Sequence, residues 1–213
     1  MKETIKKIND KKIIAIVRGI NLKDIIPTAQ ALLDGGVELI EVTFNQSSKT
    51  GEKDTCDAIK MLCDHFGENV CVGAGTVISA KQAELAINAG AKYIISPNTS
   101  IDVINKTKQM GAVSIPGALT PTEVTFAYDA GADYVKLFPA GNFGIGYIKA
   151  VRAPLSHIPV LAVGGVSDEN LLDFFNAGVS GVGVGSNIVN CKLIGEGKFS
   201  ELTKLAKKYT DQL

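Results

Sequence analysis

The chain has 213 residues, and its 22 basic side chains balance 22 acidic ones, for a formal net charge of zero. That balance removes the electrostatic footprint of a nucleic-acid binder, although it leaves room for a local basic pocket. With 46% apolar and 21% charged residues the composition is that of an ordinary soluble protein, long enough to bury a core without disulfide or metal staples.

The cysteines, Cys56, Cys63, Cys71 and Cys191, form no C-x-x-C pair, and His65 and His157 are not grouped with acidic or thiol ligands. Zinc-type spacing is therefore absent and no metal is expected. Reduced cysteines are expected, as in the cytosol. The N-terminus, MKETIKKINDKK, has no apolar signal region, and no later run is long enough to span a bilayer. A cytoplasmic location is expected, with neither membrane nor nucleic-acid partners.

Apolar runs rich in Ile and Val recur about every 20 to 30 residues. In chain order they are IIAIVRG (13–19), LIEVTF (39–44), VCVGAGT (70–76), YIISPN (93–98), VSIPGAL (113–119), YVKLFP (134–139), VLAVGGV (160–166) and GVGVGS (181–186). Continuous apolar runs predict parallel strands covered on both faces. Between them lie helix-like segments. Thr120, Pro121 and Glu123 predict a capping box, and Ser79 with Gln82 stand in the same relation. Gly36, Gly90, Gly131 and Gly178 stand where a helix needs a left-handed residue before the next strand. The segment NQSSKTGEKDTCD, after the second strand, reads as the one long loop.

Eight strand–helix units with no linker between them predict a single-domain (β/α)8 TIM barrel over residues 1–213. The rival is a doubly wound open sheet, whose two edge strands should be shorter and more polar; the eight runs show no clear difference of that kind. Gly73-Ala-Gly75 lacks the third glycine and the acidic residue of a dinucleotide fingerprint.

The active face of such a barrel is at the C-terminal ends of its strands, and the unexpected polar residues fall there. Arg18 ends the first strand, Glu41 and Thr43 stand in the second, Thr76 ends the third, and Ser96-Pro97-Asn98 the fourth. The sixth carries Lys136, the seventh ends in Gly164-Gly165, and the eighth in Gly185-Ser186. The two-residue period puts Glu41 on one face with Thr43, and Lys136 on one face with Tyr134 and Phe138. If those faces point inward, Glu41 and Lys136 converge from opposite walls.

Lys136 has three readings: a structural partner for Glu41, a point charge for an anionic substrate, or a Schiff-base nucleophile kept neutral by an apolar wall. Glu41 is correspondingly an ion-pair partner or a general acid/base. The glycines of VGGV and VGVGS are a phosphate cradle or plain turns. Arg18 is a carboxylate fork or a solvated strand end. His65 and His157 read as surface residues, and Cys71 as packing.

In this order, IVRG, IEVTF, VGAGTV, ISPN, IPGALTPTE, VKLFPA, VGGV and GVGS resemble the class I aldolases acting on 2-keto-3-deoxy-6-phosphogluconate and 4-hydroxy-2-oxoglutarate. The resemblance runs from about Ile13 to Ser186. It implies a compact (β/α)8 barrel that forms a homotrimer, uses no metal or organic cofactor, and acts on a small phosphorylated 2-keto-3-deoxy sugar acid. It further implies that Lys136 is the Schiff-base lysine and Glu41 the general acid/base. Thr76, Pro97 and Phe138 would shape the pyruvate half, and Gly164, Gly165 and Ser186 would hold the phosphate.

Two departures bear on the substrate. Some members have an arginine shortly after the glutamate strand, as in E-V-T-L-R, where this chain has Asn45; others have it at the end of the first strand, which Arg18 matches and which implies carboxylate binding there. Val163 stands where some relatives have threonine, close to the sugar-derived hydroxyls, and resembles relatives that accept the galactonate epimer. Val163, Thr43 and Asn45 are thus the expected specificity positions. The leading expectation is cleavage of 2-keto-3-deoxy-6-phosphogluconate to pyruvate and glyceraldehyde 3-phosphate, with 4-hydroxy-2-oxoglutarate as a further candidate. The alternatives are an aldolase for the 6-phosphogalactonate epimer, a sugar-phosphate isomerase or decarboxylase, and a barrel that binds a sugar phosphate without turning it over.

Overall fold

A computed structural model describes residues 1–213. The strands are β1 (Ile13–Val17), β2 (Leu39–Thr43), β3 (Cys71–Gly75), β4 (Tyr93–Ile95), β5 (Val113–Ile115), β6 (Gly117–Ala118), β7 (Val135–Leu137), β8 (Val160–Val163) and β9 (Gly181–Val184). All pair in parallel, in the order β5-β4-β3-β2-β1-β9-β8-β7-β6.

The two ends of that order are halves of one extended segment. Pro116, which has no N–H to give, separates β5 from β6. On one side Ser96 N donates to Ile115 O (3.2 Å); on the other Tyr134 N donates to Ser114 O (3.2 Å) and Lys136 N to Pro116 O (2.8 Å). The sheet therefore closes on itself, and the eight predicted runs become a (β/α)8 barrel with its fifth strand recorded in two pieces.

The helices are α1 (Lys2–Lys11), α2 (Leu22–Asp34), α3 (Gly51–Phe66), α4 (Ala80–Asn88), α5 (Ile101–Gln109), α6 (Pro121–Asp129), α7 (Gly144–Arg152), α8 (Leu171–Asn176), α9 (Cys191–Gly195) and α10 (Phe199–Thr210). None is long and apolar enough to cross a membrane. The Thr120–Glu123 capping box is present on α6. At α4 only half of the expected box forms: Ser79 accepts from Gln82 N, but the Gln82 amide turns to Ile78 N and to Gln46. Gly36, Gly90, Gly131 and Gly178 all have positive φ, as their helix-end positions require.

The long loop expected after β2 is largely helix. It runs only from Phe44 to Thr50, because α3 begins at Gly51. Glu52 and Asp54 favour a helix N-terminus, Thr50 Oγ1 donates to Asp54 (2.7 Å), and Lys53 pairs with Asp57 one turn on.

Two apolar layers result. One lies between sheet and helices; the other fills the lower barrel with Ile14, Leu39, Cys71, Tyr93, Ile95, Val113, Ile115, Tyr134 and Leu161. The charged helix α1 closes this lower end by inserting Ile8, and Tyr134 OH donates to Asn9 Oδ1 (2.7 Å). Cys71 is a packing residue of this layer. With the lower barrel filled, the interior space that remains lies at the C-terminal ends of the strands.

Candidate active site

Above the apolar floor a cavity of about 360 Å³ is lined by Arg18, Glu41, Thr76, Pro97, Lys136, Phe138, Val163, Gly164, Gly165 and Ser186, together with Ile16, Val166, Gly183, Gly185 and Asn187. Ten of the twelve sequence-derived site residues thus meet in one space. The other two do not: Thr43 and Asn45 line a separate cleft between the ends of β1 and β2 and the helices α2 and α3. Larger clefts exist on the surface, but none gathers this set of residues.

Lys136 projects from β7, in register with Gly117 and Leu161. It is 6% exposed and Glu41 is 1% exposed. Of the ten ion pairs in the protein, none involves Lys136, Glu41 or Arg18. The structural ion-pair reading therefore fails, because a buried pair needs close contact to offset its desolvation. Instead the two groups face each other without contact. Burial holds the Lys136 amine below the ordinary lysine range; Glu41 opposes that shift and Arg18 adds to it. Burial likewise drives the Glu41 carboxyl up, against the pull of Lys136 and then Arg18. The Lys136 ammonium position lies 4.8 Å from the Phe138 ring centroid, so an aromatic face forms one wall beside the amine.

Two glycine walls make room for these side chains. A Cβ at Gly75 would fall within the Glu41 carboxylate, and one at Gly73 would strike the ring of Tyr93. On the opposite side Gly183 leaves space for Val163, its Cγ2 2.8 Å from where a Cβ would stand.

Arg18 Nη2 donates to Thr76 Oγ1 (3.3 Å), which sets a guanidinium fork and a hydroxyl side by side at the rim. Thr76 has φ 55°, a conformation that a β-branched residue adopts only when held. Gln46 holds it: its Nε2 donates to Thr76 O (2.7 Å), and its Oε1 accepts from Gln82 Nε2 (2.9 Å). At the other rim Gly164 and Gly165 have φ 92° and 76°. The amides of Gly164, Gly165, Ser186 and Asn187 donate to no protein acceptor. The loop shape is fixed from behind, by Gly141 N to Gly164 O (2.8 Å), Asn170 Nδ2 to Gly165 O (2.9 Å) and Asn187 Nδ2 to Val166 O (2.8 Å). Free amides on left-handed glycines form an anion-binding concavity.

Gln46, Asn170 and Asn187 escaped the sequence reading. They are polar residues in loops, where polarity carries no signal until the fold shows what they hold.

A model of the family described as KDPG and KHG aldolase matches residues 4–205. The chain belongs to that family. This aldolase is 37% identical over 177 residues to the 2-dehydro-3-deoxy-6-phosphogalactonate aldolase of Escherichia coli, covering 83% of each chain. It is 27% identical over 210 residues to the 2-dehydro-3-deoxy-phosphogluconate aldolase of Haemophilus influenzae, covering 98% of this chain and 96% of the relative. Among solved structures it matches a KDPG aldolase from Legionella pneumophila, described with pyruvate captured at low pH as a covalent carbinolamine intermediate. That match has a TM-score of 0.82 and 28% identity, over 92% of this chain and 93% of that one. The aldolase reading thus replaces the isomerase, decarboxylase and non-catalytic alternatives.

Proposed function

We propose that this aldolase cleaves 2-keto-3-deoxy-6-phosphogalactonate to pyruvate and glyceraldehyde 3-phosphate through a Schiff base on Lys136. The observation that carries the proposal is a buried, unpaired amine facing an unpaired carboxyl across a cavity rimmed by an arginine at one side and free amides at the other.

The neutral Lys136 amine attacks the C2 ketone. Glu41 moves the protons by which the carbinolamine loses water and becomes a protonated imine. Glu41, directly or through a water, then takes the C4 hydroxyl proton. The C3–C4 bond breaks, its electron pair flows into the imine to give an enamine, and the aldehyde leaves. Protonation of the enamine carbon and hydrolysis return pyruvate and the free amine. Arg18 and Thr76 grip the carboxylate, Pro97 and Phe138 wall the pyruvate half, and the amides of Gly164, Gly165 and Ser186 receive the phosphate.

The gluconate epimer, the leading expectation from sequence, gives way to the galactonate epimer for two reasons. Relatives named for the galactonate are at 37% and 34% identity, and relatives named for the gluconate at 27% to 31%. In addition, Val163 lines the cavity, while Asn45 stands outside it and leaves Arg18 as the cavity's arginine. A homotrimer belongs to the same proposal, supported by Phe126 and Phe143, both about half exposed on the surface. Light scattering checks it.

The deciding experiment compares kcat/KM for pyruvate release from the two epimers and from 4-hydroxy-2-oxoglutarate. The galactonate is expected to lead by about tenfold or more, the size of effect a single pocket contact supplies. A preference for the gluconate overturns the epimer assignment.

A further inference from the structure

Four buried side-chain polar atoms lack a hydrogen-bond partner, and two of them, Glu41 Oε2 and Tyr93 OH, belong to neighbouring parts of the barrel interior. Strand register puts Glu41, Gly73 and Tyr93 in one row across β2, β3 and β4. Gly73 offers no side chain, and the Tyr93 ring fills its place, with Cζ, the carbon that carries the hydroxyl, 2.5 Å from where a Cβ would stand. Two strand spacings, about 9.5 Å, separate the Cα atoms of Glu41 and Tyr93, and the ring already covers the nearer spacing. The ring thus reaches from β4 across Gly73 toward the Glu41 side chain, whose carboxylate lies over Gly75 and whose charge is felt at the Tyr93 phenol.

We propose that Tyr93 OH donates a hydrogen bond to Glu41 Oε2 across one bridging water, and so acts as a positioning residue for the general acid/base. The inference rests on the reading of Glu41 given above. One orphan is a donor and the other an acceptor, and the layer around Tyr93 is apolar: Leu39, Ile95, Ile115 and Cys71. Polar atoms in such a setting are normally satisfied. The other charged groups facing Glu41 are Lys136 from β7 and Arg18 from the end of β1, and neither contacts it. Below, Cys71 on β3 neighbours Tyr93, and the Tyr134 hydroxyl on β7 is already engaged with Asn9. Burial holds the Tyr93 phenol well above its ordinary range, so it stays a donor.

A donor to the ionised form favours that form. Tyr93 thus offsets part of the burial that makes Glu41 hard to ionise, and keeps its proton exchangeable during turnover. A purely packing role for the ring would have no such effect.

Tyr93→Phe keeps the ring over Gly73 and removes only the hydroxyl. The readout is the infrared band of the protonated Glu41 carboxyl, assigned by its loss in Glu41→Gln and followed against pH. In Tyr93→Phe the band is expected to titrate about one pH unit higher than in the wild type, with kcat about tenfold lower at acid pH and KM within about twofold. Coincident titrations in the two proteins overturn the proposal. Should Tyr93→Phe fail to fold, difluorotyrosine at position 93 gives the same test with opposite sign, because a more acidic phenol donates more strongly and moves the band down; an unmoved band again overturns it. Failure of the aldolase reading shows separately, as wild-type protein that releases no pyruvate while the infrared titration still answers for Tyr93.

Discussion

Glu41 and Gly75 share one volume: the carboxylate on β2 lies where a side chain at position 75, two residues beyond the register partner of Glu41 on β3, would begin. The absence of a Cβ at position 75 is thus what lets a charged group from the neighbouring strand turn into the barrel. Gly75→Ala is expected to displace the carboxylate by roughly an ångström and lower kcat by about 10²-fold. The cost in stability is expected to be about 1–3 kcal/mol, as for other overpacked sites. Steady-state kinetics and denaturant melts check both. Unchanged kcat in a folded Gly75→Ala protein would show that Glu41 is not held by this glycine.

Lys136 is a residue the fold tolerates at a cost. Its amine is held below the ordinary lysine value of 10.5 by burial, so between the two values the unfolded chain binds a proton that the native one does not. Wild-type stability therefore rises with pH through that window. Lys136→Met removes the buried amine and is expected to raise stability at neutral pH by about 1–3 kcal/mol, an advantage that shrinks as pH approaches 10.5, while abolishing cleavage. Denaturant unfolding across pH measures it. A Lys136→Met protein less stable than the wild type at pH 7 contradicts the account.

In the proposed mechanism Arg18 acts on both the substrate carboxylate and the amine. Its charge presses the Lys136 amine further down, and its fork meets Thr76 at the rim. Arg18→Gln is expected to move the acid limb of imine formation to higher pH, because the amine then holds its proton more firmly. KM for pyruvate in the reverse, condensing direction should rise about 10- to 100-fold, the worth of a charge-assisted hydrogen bond. Imine trapping rates as a function of pH read the first effect and initial rates the second.

The barrel was legible because each strand is a continuous apolar run closed by a polar or glycine residue, and because four helices end on a left-handed glycine. Lys136 stood out since no covered strand tolerates an ammonium without a purpose. Less was legible where side chains act through the fold. The segment that forms α1 reads only as polar and charged, because just two isoleucines, Ile5 and Ile8, make its contact with the floor. Thr43 shares the period of Glu41, yet it lines the neighbouring cleft, because alternation gives a face and not a height along the barrel axis. Gln46 became visible only when its amide was found on the strained carbonyl of Thr76.

Reduction of the imine tests the central claim most directly. The protein is incubated with pyruvate and borohydride, digested, and mapped by mass spectrometry. A single reduced pyruvyl adduct on Lys136, absent from Lys136→Met and slowed in Glu41→Gln, is the predicted result; no adduct, or an adduct on another lysine, would contradict the account.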